Sequence, residues 1–300
     1  MGSRNRDRVE DVRGVVAAGM PGYRVDSVVF LGEGEDNSVH EVNGELIVRF
    51  SKEPDPRSRA AKVSGEARLL AAVAGVSPVP VPEPAFTVAE QGCLGYFKLP
   101  GLALIDVPLP HRSAQGTSVA AVLGELLGGL HGVPVDSVAE LVTPDDQPKA
   151  LWLDEARETY AAVAERVPEA HRAALRAFLD APPPADGHPL VFSHNDLGIE
   201  HVLIDPDTWE VTGVIDWSDA AIVDPAYDFG LILRDLGPDA LHRALRGYPA
   251  GAHEVEAIGE RAAFYARCAV LEDMAYGIET GRHIYLDKSL AALRWLCPTR

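Results

Sequence analysis

Residues 192–205, FSHNDLGIEHVLID, and residues 211–230, VTGVIDWSDAAIVDPAYDFG, decide how this chain is read. They place His194, Asp196, His201 and Asp216 in two loops that follow apolar, strand-like runs. In-line phosphoryl transfer is mostly positioning and charge neutralisation: one carboxylate orients the acceptor hydroxyl and others hold Mg²⁺ on the phosphates. Asp196, just past the apolar run 189–192, is the candidate base, able to accept a hydrogen bond from a hydroxyl and aim it at phosphorus. The competing reading is an Asn-Asp turn that merely caps its loop; the partners downstream weigh against it. Asp216 closes the apolar run GVID and is a candidate Mg²⁺ ligand, with a strand-end cap as the alternative. His201 precedes the strand-like VLID. Imidazole suits transition metals better than Mg²⁺, so His201 is either a weaker metal ligand or a hydrogen-bond partner of phosphate or of Asp196. His194 reads as a structural residue bonded to the loop backbone.

At 300 residues and 47% hydrophobic, the chain is long enough for two lobes, each with its own core. Its formal net charge of −18 disfavours nucleic acid and anionic membrane surfaces as partners. The same charge would steer a cationic substrate inward, and a simple gain in solubility accounts for it equally well. Cys93, Cys268 and Cys297 are far apart and odd in number, which points to a reducing compartment. The stretch MGSRNRDRVEDVR lacks the apolar core of a signal peptide, and no apolar run reaches the length of a membrane span. A cytoplasmic location is the expectation.

Residues 9–18 carry apolar and charged groups at helical spacing. Three short β-type runs follow, 27–31, 39–42 and 46–50, separated by Gly, Asn and Asp. SRAAKVSGEARLLAAVAG reads as a helix with Glu66 on its middle turns. Pro78, Pro80, Pro82 and Pro84 then enforce an extended segment, and two more strands are expected at 85–88 and 94–99. Beyond Gly101 the pattern is mainly helical: 119–133, 151–167 and 169–181 before the two quoted segments, then about three helices starting from Leu231, His253 and Asp287.

LGEGEDNSVHEV sets Gly32 and Gly34 in a turn between strands, with Ser38 following. Glycine there lets backbone amides approach a phosphate, although a plain hairpin turn has the same composition. Arg49, near the end of ELIVRF, has a guanidinium that grips phosphate oxygens in a bidentate manner, and Glu66 is placed to hold it. GYFKLPG, residues 95–101, is the expected crossing between lobes, with the backbone of Phe97, Lys98 and Leu99 presented to a purine edge. His131 reads as a satisfied helix-end histidine, and Asp224 and Asp228 as braces for their loop and the helix after it.

With these residues assembled, the chain resembles the aminoglycoside phosphotransferase family of small-molecule kinases. The segments that carry the likeness are GEGEDNSVHEV, ELIVRF, KVSGEARLL, LGELLGGLHGVP, HNDLGIEHVLID and GVIDWSDAAIVDPAYDFG, and the last two are the specific ones. The strand and helix order of the first hundred residues is similar to a kinase small lobe, with Arg49 where kinases carry the strand lysine. His201 stands where kinases place the metal-site Asn. That substitution resembles the aminoglycoside 2''-phosphotransferases and the macrolide phosphotransferases. The resemblance implies an α+β, bilobal protein-kinase-like fold. A nucleotide-binding β-rich lobe would span 1–100 and a catalytic, substrate-binding helical lobe 101–300. It implies transfer of the γ-phosphate of ATP or GTP to a hydroxyl of a small, cationic antibiotic, with Asp196 as base and His201 and Asp216 on the Mg²⁺ side. Acids near that loop are the candidate acceptor ligands: Asp219, Glu200, Glu272 and Asp273, with Asp154 and Glu155 beside them. A monomer or a homodimer is expected. Three alternatives stand: a kinase of a non-antibiotic metabolite, a non-catalytic nucleotide binder of kinase fold, and a metal-dependent hydrolase using His194, His201, Asp196 and Asp216 as a transition-metal cluster.

Overall fold

In the stretch 37–42, Ser38, His40 and Val42 are buried and their neighbours partly exposed, the period-two pattern of a strand with one face on a core. This strand belongs to an antiparallel sheet of β1 (Val28–Glu33), β2 (Asn37–Val42), β3 (Leu46–Ser51), β4 (Pro84–Val88) and β5 (Cys93–Phe97), in the order β1-β2-β3-β5-β4. The computed structural model describes residues 2–34 and 36–299, with side chains from residue 10 onward. It divides into two compact units, Met1–Pro100 and Gly101–Arg300. The architecture is α+β: a small antiparallel sheet unit and a larger, mainly helical one.

In the first unit, α1 (Gly2–Gly19) lays Val12, Val15 and Val16 against Val42, Leu46, Val48, Phe86 and Cys93. That i, i+3, i+4 spacing is the apolar stripe of a helix on a sheet. The helix extends beyond the expected 9–18 at both ends, its first residues being charged and without an apolar period to mark them. Asp55 starts α2 (Pro56–Ala74): its carboxylate accepts from the Ser58 N–H at 2.8 Å, and Pro56 follows at the first helical position. Gly32 lies inside β1, at an irregularity of its pairing with β2, rather than in the turn. The strand expected at 94–99 stops at Phe97, and Lys98 donates its N–H to Glu45 O.

The second unit holds two small sheets. One comprises β6 (Leu102–Ala103), β8 (Val202–Ile204) and β9 (Val211–Val214); the other pairs β7 (Val191–Ser193) with β10 (Ala221–Val223). Around them lie α3 (Leu109–His131), α4 (Val135–Val138), α5 (Lys149–Val163) and α6 (Glu169–Asp180), then α7 (Ala226–Leu236), α8 (Pro238–Leu245), α9 (Ala252–Glu279) and α10 (His283–Leu296). Two expectations are corrected. Helix α3 begins ten residues before the expected 119, opening after Pro108 with Pro110 in its first turn. The last third carries four helices instead of three. The first starts at Ala226, not Leu231, since Asp224 Oδ1 accepts the Ala226 N–H at 2.9 Å, and the left-handed Gly237 separates α7 from α8. Cys93, Cys268 and Cys297 are unpaired and buried. Among the described residues no helix is long and apolar enough to cross a membrane.

Glycine is demanded where α3 meets α8: a Cβ on Gly124 would overlap the Ala244 carbonyl oxygen, whereas one on Gly14 would meet nothing within 4 Å. Gly124→Val is therefore expected to destabilise the protein by ~2–3 kcal/mol, and Gly14→Ala to stabilise it by ~0.5–1 kcal/mol. Urea unfolding at neutral pH measures both.

Candidate active site

Asn195 and Asp216 adopt left-handed backbone angles, each with φ of +62°. Asn and Asp are the non-glycine residues that tolerate this region best. The bend at Asn195 turns the chain out of β7 into a loop, 194–201, whose backbone groups are taken up one by one. Asp228, fully buried in the first turn of α7, accepts from the Ser193 hydroxyl at 2.5 Å, the Asn195 N–H at 2.9 Å and the Leu197 N–H at 3.0 Å. Asp235 accepts the Ile199 N–H at 3.2 Å. Asn195 Nδ2 donates to Asp145 at 3.2 Å. The residues on both sides of Asp196 are thus held from beneath, while its own side chain stays 38% exposed.

His194 and His201 stack with ring centroids 6.0 Å apart, and Trp217, buried, packs on His194 at 4.5 Å. His194 Nε2–H donates to Ile215 O at 3.1 Å and Nδ1 accepts the Asp196 N–H at 3.2 Å, so both ring nitrogens are spent on backbone. It cannot also bind a metal. Among the described residues no group of three or more His, Cys, Asp or Glu is arranged to hold a metal ion, and the transition-metal cluster of a hydrolase is absent from them. His201 Nδ1–H donates to Asp196 O at 2.8 Å and lies 3.3 Å from Asp196 Oδ2, leaving Nε2 to face Asp216 Oδ2 at 3.9 Å. Asp216 also accepts from the Ser218 hydroxyl. Asp216 supplies one carboxylate, and Mg²⁺ sites commonly use one or two protein carboxylates with phosphates and waters completing the shell.

Burial pushes the Asp196 carboxyl up to about 7, against the pull of His201. Burial works against charge on His201, but the Asp196 and Glu200 carboxylates raise its pKa overall. His194 and His131 are driven down to about 4 by burial and are neutral at pH 7. His131 ends α3 as the sequence suggested, with Nδ1 2.8 Å from the Tyr248 hydroxyl and Nε2 3.0 Å from Ser193 Oγ.

The acids expected to hold an acceptor divide. Glu200 and Asp273 both pair with Lys288, at 3.2 and 2.9 Å, and Asp273 also with Arg234 at 3.1 Å. These join the buried Arg234–Asp235 pair. Both are thus engaged by interior cations; Lys288 and Arg234 hold Glu200 below its usual range in spite of burial, whereas burial pushes Asp273 up against the same two cations. Asp154 pairs with Arg157, and Glu155 accepts from Gln147. Asp219 and Glu272 remain exposed. The sequence reading missed Arg234, Asp235 and Lys288; adjacent charges inside the apolar run LILRDL were the signal. It also missed a cavity of about 250 Å³, lined by Trp152, Tyr227 and Tyr265 with Asp145, Asp146 and Asp186. Asp224 anchors its wall, paired with Lys149 and Arg261 and bonded to Tyr265 and His188.

In the small unit, Arg49 and Glu66 pair at 2.9 Å with both side chains largely buried. Arg49 sits opposite Val39 in the β2–β3 ladder, whereas Ser38 sits opposite Phe50. Side chains alternate along a strand, so Ser38 lies on the other face, near Asp11 and His40, and is not brought to Arg49. Gly32 and Gly34 have open space where a side chain would be. Gly34 donates its N–H to Asn37 O, and Lys52 donates to Gly34 O. Phe97 is exposed, the Lys98 N–H is committed to Glu45, and Leu99 follows the strand end.

A base candidate beside two acid or imidazole groups, on a loop braced from a helix below it, defines a kinase-like phosphotransferase. The family model described as phosphotransferase enzyme family matches residues 27–265, and the chain belongs to that family. The aminoglycoside 3'-phosphotransferase of Streptomyces fradiae is 32% identical over 234 residues, covering 70% of this chain and 80% of that one. Two solved structures share the fold. The GDP complex of wild-type aminoglycoside 2'-phosphotransferase-IIIa is 22% identical over 95% of this chain and 97% of that one, with a TM-score of 0.68. The apoenzyme of macrolide 2'-phosphotransferase MphH from Brachybacterium faecium is 24% identical over 94% and 98%, with a TM-score of 0.59.

Asp228→Asn would turn an amide NH₂ toward a backbone N–H that now has an acceptor. We expect a loss of ~2–4 kcal/mol in urea unfolding, together with reduced turnover. His131 supplies a pH test. The unfolded chain takes up a proton on His131 near pH ~6.5, but the folded chain resists protonation until about 4. Between those values the unfolded state holds the extra proton, so stability falls as pH falls. His131→Gln is expected to show a shallower decline between pH 7 and pH 5 than the parent protein, whatever its stability at pH 7.

Proposed function

We propose that this protein transfers the γ-phosphate of ATP or GTP to a hydroxyl of a small cationic antibiotic, of the aminoglycoside or macrolide class, and thereby confers resistance. The observation that carries the reading is Asp196: a partly exposed carboxylate on a loop whose flanking N–H groups are pinned by Asp228. Such a group can accept the acceptor hydroxyl's proton and hold its oxygen on line for phosphorus. Membership of the phosphotransferase enzyme family supports it.

Asp216 and His201 Nε2 are the groups that would hold Mg²⁺. The ion would neutralise charge on the phosphates when bound. In the small unit, Arg49, held by Glu66, would grip phosphate oxygens, the open space beside Gly32 at the end of β1 and Gly34 in the turn would admit them, and the backbone at Phe97 and Leu99 would meet the base. Ser38 is left out of this set. For the acceptor, the cavity of Trp152, Tyr227 and Tyr265 offers aromatic faces beside the carboxylates of Asp145, Asp146 and Asp186, the last of them paired with Lys149, a lining that suits an amine. Asp219 and Glu272 are the exposed acids of the predicted set; Glu200 and Asp273 serve the interior instead.

Asp196→Asn is expected to lower kcat at least ~10²–10⁴-fold while nucleotide affinity changes by less than about twofold. Near-normal turnover in that variant would overturn the assignment of the base. ATP and GTP consumption against aminoglycosides, macrolides and common hydroxylated metabolites, alongside resistance of a sensitive host, identifies the acceptor. Turnover only with a non-antibiotic metabolite would replace the antibiotic reading.

A further inference from the structure

The three donors on Asp228 do not end the hydrogen-bond chain, which continues outward to Tyr248 in the link between α8 and α9. Every hydrogen along it can be placed. An ionised carboxylate only accepts, so the Ser193 hydroxyl donates to Asp228 Oδ2 at 2.5 Å. With its proton committed, Ser193 Oγ must accept from His131 Nε2–H across 3.0 Å. A neutral imidazole with its hydrogen on Nε2 has a bare lone pair on Nδ1. The Tyr248 hydroxyl, 2.8 Å from that nitrogen, therefore donates to it. The geometry is confined by packing: His131, Tyr248 and Phe229 meet edge to face, with centroids 5.3 to 6.1 Å apart. Burial keeps the Tyr248 hydroxyl protonated, its pKa pushed up to about 12.

We propose that Tyr248 is a positioning residue for the catalytic loop, fixing the tautomer of His131 so that Ser193 gives its proton to Asp228 and to nothing else. Tyr248 touches no reacting atom; it acts through three other groups. Without its hydroxyl, Nδ1 loses its donor and the imidazole can move its hydrogen from Nε2 to Nδ1. Nε2 then competes with Asp228 for the one Ser193 proton. Asp228 would hold the loop by two N–H groups instead of three donors, and Asp196, between those two N–H groups, would lose its alignment. This rests on the phosphotransfer reading for its consequence in turnover, but not for its consequence in the tautomer.

The test uses the full chain with Tyr248→Phe. Nitrogen NMR of His131 is expected to change from a pure Nε2–H tautomer to a mixture, a readout that needs no activity. The kcat is expected to fall roughly tenfold, as small displacements of a reacting group do, with KM for nucleotide unchanged. In a His131→Gln background the side-chain amide donates to Ser193 without help, so adding Tyr248→Phe there should cost no further turnover. An unchanged tautomer in Tyr248→Phe overturns the proposal, and so does an equal loss from that substitution in both backgrounds. Loss of turnover in Asp196→Asn is a separate measurement, so failure of the base assignment and failure of this proposal are told apart.

Discussion

A single buried carboxylate, Asp228, holds the loop around Asp196 in place. Among the described residues it pairs with no cation and is solvated instead by the Ser193 hydroxyl and the Asn195 and Leu197 N–H groups. That arrangement satisfies a buried charge, which is costly when left unpaired, and it fixes the loop at the residue before and the residue after Asp196. The same helix end carries Asp224, four residues earlier, capping Ala226 and gathering Lys149, Arg261 and Tyr265. Two acids at the start of α7 sit where the helix dipole favours negative charge. One ties the helix to the loop, the other to the walls of the neighbouring cavity.

Charge matching in the interior decides which acids are left for a ligand. Arg234, Lys288, Asp235, Asp273 and Glu200 form one buried network, and Asp235 lends an oxygen to the Ile199 N–H. Breaking a buried pair exposes an uncompensated charge and is strongly destabilising. Glu200 and Asp273 are therefore tied to the support of the loop. Asp219 and Glu272 lie outside this network and are exposed. The −18 net charge of the chain thus contains structural and exposed carboxylates that composition does not separate.

Much of the fold and site is legible in the residues. The strand order of the small unit, the Arg49–Glu66 pair and the adjacency of Asp196, His201 and Asp216 follow from short-range periodicity and turn residues. His194 was read as a backbone-bonded residue, and both its nitrogens are engaged that way. What escaped notice was long-range or one residue out of step. Ser38 is near Arg49 in sequence yet on the opposite face of the sheet, because strand side chains alternate and the register sets the phase. Helix α3 begins ten residues before its apolar run, at prolines of its first turn that carry no apolar period.

Sequence by itself determined which acids and histidines stand at strand ends and in what order, since apolar runs ending in Asp or His fix which side chains emerge there. Only the tertiary structure decided which acids are paired in the interior and which helix holds the loop. Asp228 meets Ser193 across 35 positions and Lys288 meets Glu200 across 88. No local period records such pairs. They exist because packing leaves each buried charge a single place to find its partner.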